Sequence, residues 1–295
     1  MKNTITLLAI SFVLLISAVP SFCQQAAQPA QYKQDASPIS VRQVSPHVYE
    51  VRGGNGANCS FIVGEKGVFV IDAKMSVQSA KKMIAAIKKT TSKPISHVIL
   101  THSDGDHVNG LSGFSGIPVI IAHINCAKDI EKANESQAEK VALPNETFDG
   151  RMSIYSGKFQ IDLLYYGPAH TDGDIAILVP EDKTAIVGDL FFKDQDPLIH
   201  REKNGNSFGL VNILDRIAEL DAQTYLSGHA VPVARTEIDA LRKRIIEIQN
   251  KVKPSVEEGK TLDEVKKALG VSTGQSRWPS LAEVIYLELS GDSQK

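Results

Sequence analysis

A chain of 295 residues, 42% hydrophobic and 22% charged, can bury a large core and has room for one big domain or two modest ones. Its 32 basic and 34 acidic residues leave a formal charge of −2, which marks it for no polyanionic partner and makes a nucleic-acid role unexpected. Three cysteines, Cys23, Cys59 and Cys126, are too few and too scattered for a disulfide scaffold or a thiolate zinc cluster. Lys2 precedes an apolar run from Ile5 to Val19 that meets Pro20, Ser21 and Cys23, the layout of an export signal over 1–23 cleaved after Cys23. The run is shorter than the ~20 residues of a spanning helix. The expectation is therefore an extracytoplasmic protein, in a periplasm or the medium, with no stable membrane anchor once the signal is removed.

Residues 24–38 are rich in Gln, Ala and Pro without apolar periodicity and read as a disordered leader, so that folded chain begins near Ile39. Short apolar runs at His47–Arg52, Cys59–Val63 and Gly67–Asp72 predict strands, the last two joined through Gly64-Glu65-Lys66-Gly67 as a hairpin. Ser76–Thr90 has helical periodicity, Pro94 ends that region, and Ile95–Leu100 reads as a buried strand running into a polar loop. A second half repeats the pattern. It has strands at Pro118–Ala122, Arg151–Tyr155, Lys158–Tyr166, Asp174–Val179 and Thr184–Gly188, and helices at Ala127–Ala138 and Phe208–Leu220. The fold class implied is α/β, a four-layer αββα sandwich over 39–235 with its strand ends converging on one edge. The remainder, 236–295, carries helix signals at Glu237–Val252, at the capping box Thr261-Leu262-Asp263-Glu264 and at Ser280-Leu281-Ala282-Glu283. It is expected to pack on the same domain as a C-terminal helical extension.

The chemistry concentrates after Leu100, where His102-Ser103-Asp104-Gly105-Asp106-His107 packs four potential metal ligands into six residues, with Gly105 permitting a tight path. Alternate aspartates alone could hold calcium through oxygen. The flanking histidines favour a metal that accepts imidazole, such as zinc, iron, copper or nickel. Three later stretches, Gly167-Pro168-Ala169-His170-Thr171-Asp172-Gly173-Asp174, Val187-Gly188-Asp189 and Ser227-Gly228-His229-Ala230, each place a further candidate ligand in a turn.

Taken in order, these four motifs resemble the metallo-β-lactamase superfamily, over roughly Ile39 to His229. The helical tail with Trp278 and Tyr286 looks like the appendage of glyoxalase-like members. One position departs from the family's His-x-His-x-Asp-His pattern: Asp104 stands where its second histidine would be. The resemblance implies a dinuclear metal-dependent hydrolase with a small-molecule substrate. His102, Asp104 and His170 would hold one divalent ion, Asp106, His107 and His229 the other, and Asp189 would bridge them around a shared hydroxide that attacks an ester, thioester, lactone or β-lactam bond. Asp106 would also orient that hydroxide and shuttle a proton to the leaving group as the catalytic acid–base. Zinc is the first expectation, with the harder oxygen ligand Asp104 tilting the site toward iron or manganese. An aspartate at 189, where zinc β-lactamases with a cysteine ligand carry Cys, directs the reading toward thioesterases, lactonases and esterases.

Three carboxylates, two divalent ions and a hydroxide sum to zero, where a histidine at 104 would leave +1, so the cage is expected to attract anions less strongly. Asp104 also motivates a rival of another class, a non-haem iron oxidoreductase resembling persulfide dioxygenases or diiron oxygen reductases. A non-catalytic binding member is a third. Asp72 reads either as a residue holding the metal loop from behind or as a strand-end cap. The stretch Arg52–Asn58 reads as a flap or an ordinary turn. Lys193 and His200 read as substrate contacts or as solvated loop residues, and His47, His97 and His123 as structural.

Overall fold

The computed structural model describes residues 37–116, 119–271 and 278–291. The expected export signal over 1–23 and all but the last two residues of the expected leader lie outside the described residues, as does Pro118. In chain order the first half forms β1 (Ser40–Gln43), β2 (Val48–Arg52), β3 (Cys59–Val63), β4 (Val68–Ile71), α1 (Val77–Thr90), β5 (Ile95–Ile99), α2 (Gly105–Val108), β6 (Val119–His123), α3 (Ile124–Ser136) and β7 (Glu146–Phe148). The second half forms β8 (Arg151–Ser156), β9 (Phe159–Tyr165), β10 (Ile175–Val179), β11 (Thr184–Gly188), α4 (Ser207–Ala218) and β12 (Thr224–Ser227), followed by α5 (Arg235–Glu257), α6 (Leu262–Ala268) and α7 (Leu281–Ser290).

Strands β1 to β7 lie side by side in sequence order, antiparallel up to β4 and parallel from β4 onward. The second sheet runs β12-β11-β10-β9-β8, with only the β11–β12 pair parallel. Side-chain alternation along the strands then builds the layers. In β4, Val68 and Val70 point to the helical side while Phe69 and Ile71 point to the other sheet; in β11, Ala185 and Val187 face helices while Ile186 faces inward. Three separate apolar clusters result. One joins the first sheet to α1 and α3, one lies between the sheets, and one joins the second sheet to α4, α5 and α7. Three interfaces make the four-layer sandwich expected from the strand and helix pattern.

Local chemistry explains the helices. In α1, Ala80, Met83 and Ile87 fall on one buried face, the Ser76 side chain accepts the Ser79 N–H at the start, and Lys88 and Lys89 complement the dipole at the end. The tail helices bury Ile238, Leu241 and Ile245 of α5 against Leu281, Val284 and Ile285 of α7 on the outer face of the second sheet. Glu288 binds the Ser207 N–H (2.7 Å) and hydroxyl at the start of α4, which locks the tail to the body. Among the described residues no helix is long and apolar enough to cross a membrane.

The sheets are also joined by polar contacts at both ends. At one, Asp182 in the β10–β11 turn accepts from Ser45 Oγ (2.5 Å) and the His47 N–H (2.7 Å) of the β1–β2 turn, with His47 Nδ1 at 2.7 Å. At the other, Ile175 N donates to Thr101 O (2.9 Å) and Asn58 N to Gly228 O (2.7 Å). The parallel strands β4 and β5 of one sheet and β11 and β12 of the other all end at this second edge, with Asp72 and Asp189 directly after β4 and β11 and with His102 and His229 a short step beyond β5 and β12.

Burial alone would raise the Asp182 carboxyl, yet its bonds from Ser45 and His47 hold it below the ordinary carboxylate range. A depressed folded-state value stabilises the fold above the unfolded value near 4 and is lost as pH falls through the folded value. Asp182→Asn is therefore expected to cost about 1–3 kcal/mol at pH 7 in urea unfolding. The difference from wild type should shrink steadily as the titration is repeated below pH ~4.

Candidate metal centre

Asp72 follows β4 with φ +63°, a left-handed conformation that turns its carboxylate back across the ends of the neighbouring strand. There it accepts the Thr101 N–H and hydroxyl, each at 2.8 Å, and faces His107 Nδ1 at 2.8 Å. Asp72 bonds to residues on both sides of the His102–Asp106 stretch. His107 thus carries its proton on Nδ1 and aims Nε2 away from Asp72. His102 is oriented likewise: the Thr101 hydroxyl donates to Asp72, so it accepts from His102 Nδ1 at 3.0 Å. His170 Nδ1 donates to the Leu198 carbonyl at 2.8 Å. Three imidazoles, two from the 102–107 loop and one from the segment after β9, therefore turn their Nε2 atoms toward Asp189.

The carboxylates meet them there. His102, Asp104, His170 and Asp189 each offer a ligand atom within 4.8 Å of one another, and Asp106, His107 and His229 form a second such group. Asp189 stands between the groups. Its Oδ2 is 3.8 Å from His102 Nε2, 4.0 Å from His170 Nε2 and 3.1 Å from His229 Nε2, and its Oδ1 is 3.3 Å from His107 Nε2. Asp106 Oδ2 lies 3.2 Å from His229 Nε2 and 3.8 Å from His107 Nε2. The six-residue motif achieves its density through α2, a single helical turn beginning at Gly105 that puts Asp106 and His107 on successive positions of one end.

Whether this donor set fits cations can be judged from the atoms it leaves unpaired. His102 Nε2, His107 Nε2 and Asp189 Oδ1 are buried without a well-formed hydrogen bond, although His107 Nε2 and Asp189 Oδ1 face each other across 3.3 Å. Lone pairs directed at carboxylate oxygens in a buried space require positive charge between them. Burial lowers the tendency of His107 to hold a proton, but Asp189 and Asp72 overcome it and raise its pKa well above the usual value. For His170, Asp104 likewise outweighs burial and raises the pKa to about 9, and the hydrogen bonds that His229 donates to Asp106 and Asp189 raise it to about 10. Burial and the neighbouring His107 act the other way on His102, whose pKa falls well below the usual value. The carboxylates demand cations, and protons or metal ions can supply them. Each of the two groups offers the donors of a metal site.

Asp104 is more heavily engaged than a plain ligand would be. Oδ2 faces His170 Nε2 at 3.1 Å and His200 Nε2 at 3.0 Å, while Oδ1 accepts from Lys203 Nζ at 2.6 Å. His200 is therefore neither solvated nor open to substrate. It is 4% exposed, with Nδ1 against Glu202 Oε1 at 2.6 Å. The structure thus corrects both readings offered for this residue. Lys203 and Glu202 have no sequence signal, because a charged residue in a polar loop reads as solvated; Glu202 pairs with a histidine two residues away, and the partners of Lys203 lie far away along the chain. Lys193 does not join either group; it lines a cleft of about 280 Å³ with Phe192, Glu237 and Arg244. Arg52–Asn58 is not a free flap, since Ala57 N donates to Asp106 O (3.2 Å) and Asn58 N to Gly228 O (2.7 Å). Cys59 and Cys126 are buried outside both groups, and burial pushes the Cys59 thiol up to about 11.

A family model described as the Metallo-beta-lactamase superfamily matches residues 52–229. The chain is 26% identical over 173 residues to a metallo-beta-lactamase type 2 of Elizabethkingia meningoseptica, an alignment covering 56% of this chain and 67% of that protein. A metallo-beta-lactamase type 2 of Bacillus cereus is 22% identical over 196 residues, covering 61% and 74%. An alkyl/aryl-sulfatase of Saccharomyces cerevisiae is 22% identical over 260 residues, covering 84% of this chain but 38% of its own length. In fold, the chain resembles the solved metallo-beta-lactamase from Pontibacter korlensis, with a TM-score of 0.60 and 17% identity over 70% of this chain and 99% of that one.

Gly228 supplies a test of the cluster's geometry. A β-carbon there would overlap Asp189 Oδ1 and the His107 ring, and the backbone is held on both sides, its N–H donating to Gly188 O and its carbonyl accepting from Asn58 N. Gly228→Ala should weaken Zn2+ binding at least ~10-fold, as losses around metal ligands commonly do. Competition with a chromophoric chelator measures this, and the metal-free variant should keep its melting temperature within a few degrees.

Proposed function

Since the chain belongs to the metallo-beta-lactamase superfamily, we propose that it is a dinuclear metal-dependent hydrolase, with zinc as the first expectation, acting on an ester, thioester, lactone or β-lactam bond of a small molecule. The observation that carries this reading is the set of buried Nε2 atoms of His102 and His107, orphaned beside the Asp189 carboxylate. His102, Asp104 and His170 would hold one ion, Asp106, His107 and His229 the other, and Asp189 would serve both. When bound, two divalent cations acidify a shared water toward neutral pH and stabilise the oxyanion that develops on an attacked carbonyl.

The chain's own side chains supply the rest. Asp106 remains 24% exposed, so it faces the open side of the cluster. Burial alone would raise its carboxyl, but the hydrogen bond to His229 and the charge of His107 hold it below the ordinary value, and it is an anion at neutral pH. It can therefore accept a proton from water and pass it to a leaving group, as a base within reach of the reacting atoms must. His229, 36% exposed, stands at the same mouth, and Phe192 stacks parallel to it with ring centroids 5.7 Å apart. Such a mouth suits an apolar acyl or alkyl group. Asp104, the residue that motivated an iron oxidoreductase, is not a free hard ligand here, because Lys203 occupies one of its oxygens. This favours the hydrolase.

The test is to assay zinc-loaded protein on lactones, thioesters, phosphoesters, an aryl sulfate and a chromogenic cephalosporin beside Asp106→Ala. Turnover of at least one substrate is expected, with kcat/KM lowered ~100-fold or more in the variant. No turnover of any of them would sink the reading, and stoichiometric iron with oxygen consumption in protein purified without added zinc would replace it. The same proposal sets the reaction outside the cytoplasm, and N-terminal sequencing of the mature protein should begin just after Cys23.

A further inference from the structure

We propose that Lys203 is the charge partner that allows an aspartate at position 104, so that Asp104 and Lys203 act together as one neutral ligand unit and Lys203 sets the cation affinity of the first group. The inference rests on the metal-centre reading above. A histidine at this position would be neutral and a lone aspartate would add a negative charge; an aspartate bound to an ammonium is neutral again. The sequence alone predicted a cage one charge lower than a histidine would give. The Lys203 contact removes that difference.

The two oxygens of Asp104 divide their work. Oδ1 accepts from Lys203 Nζ at 2.6 Å. Oδ2 is the atom turned inward, 3.1 Å from His170 Nε2 and 3.9 Å from His102 Nε2, with His200 Nε2 also against it at 3.0 Å. Lys203 also donates to Ser103 Oγ at 3.1 Å, and Ser103 donates on to Asp129 Oδ2 at 3.0 Å, so the ammonium is anchored on two adjacent residues of the ligand motif. The side chains are largely withdrawn from water, Lys203 25% and Asp104 13% exposed. An ion pair at that distance and burial is much stronger than an exposed one.

The loop that carries Lys203 is fastened to the segment that carries His170. His200 N donates to His170 O (2.8 Å), Lys203 N and Gly205 N donate to His200 O (2.9 and 2.8 Å), and Asp172 N donates to Lys203 O (2.9 Å). Asn204 turns the chain in a left-handed conformation, φ +55°, and its amide donates to Asp172 Oδ2 at 2.8 Å. An ordinary surface lysine has no such scaffold. Here the backbone fixes where the ammonium stands relative to the first group of ligands.

A double-mutant cycle decides the matter. Chelator-stripped protein is titrated calorimetrically with Zn2+ alone in a His229→Ala background, which leaves only the first group complete, and thermal melts follow folding. Asp104→His should weaken Zn2+ binding roughly tenfold, because an unneutralised ammonium then faces the ion. Adding Lys203→Met should recover most of that loss. Lys203→Met alone should bind Zn2+ several-fold more tightly, and Lys203→Arg should stay within about twofold of its parent. Equal binding by Asp104→His and the double variant, or no tightening in Lys203→Met, would overturn the charge partnership while leaving the metal centre intact. If Asp104→His does not fold, the Lys203→Met and Lys203→Arg pair decides alone, since a merely structural lysine would give weaker binding for Met. Absence of Zn2+ binding in the parent and in the protein with His229 restored would overturn the metal-centre reading and this inference together.

Discussion

The Asp72 carboxylate governs the site without touching its open side. It takes three donors, two from Thr101 and one from His107, all at 2.8 Å. Through Thr101 it fixes the end of β5 and the proton on His102; through His107 it fixes α2. Histidine can offer either nitrogen, and which one is free depends on what the other is bonded to. A single buried acceptor therefore determines that two imidazoles point their lone pairs toward Asp189 rather than toward the core. Its left-handed backbone is a local cost repaid by these bonds.

Once the lone pairs and the carboxylates Asp104, Asp106 and Asp189 are gathered, electrostatics dictates the rest. Burying several anions together is tolerable only if cations accompany them. The raised proton affinities of His107, His170 and His229 express that demand, and a proton and a metal ion would compete for the same lone pairs. Lys203 is a permanent cation placed at the rim, on the carboxylate that departs from the related motif. Motif spacing shows the departure at Asp104; only the folded chain shows what accompanies it.

Much of the architecture was legible because it rests on local rules. Ser76 before a periodic run, the Thr261–Glu264 capping box and the apolar strands Cys59–Val63 and Thr184–Gly188 all declare themselves within a few residues, and the structure has them in place. The elements that escaped notice carry little local signal. Strand β1 is exposed at most positions, β7 has three residues and β12 four, so each exists because a neighbour pairs with it. Helix α5 runs five residues beyond Val252, through Pro254, where packing on α4 and α7 outweighs the usual stop signal. At the site, the seven candidate ligands were legible because motif residues sit at strand ends. The roles of His200 and Lys203 were not, because 96 and 99 residues of chain separate them from Asp104, and Glu202 beside His200 resembles a residue of any polar loop.

The same geometry couples the site to the sandwich. The first sheet contributes His102, Asp104, Asp106 and His107 from the end of β5, while the second contributes His170 after β9, Asp189 after β11 and His229 after β12. Neither sheet can complete a group of ligands alone. Any cation that binds the cluster must therefore also bind the sheets to each other at this edge, and its binding energy adds to the stability of the sandwich. The opposite edge, held by Asp182 with Ser45 and His47, has no such dependence. The protein thus fastens its two sheets by a fixed carboxylate at one end and, at the other, by the bonds of Ile175 N to Thr101 O and Asn58 N to Gly228 O, to which any cation held by the cluster would add.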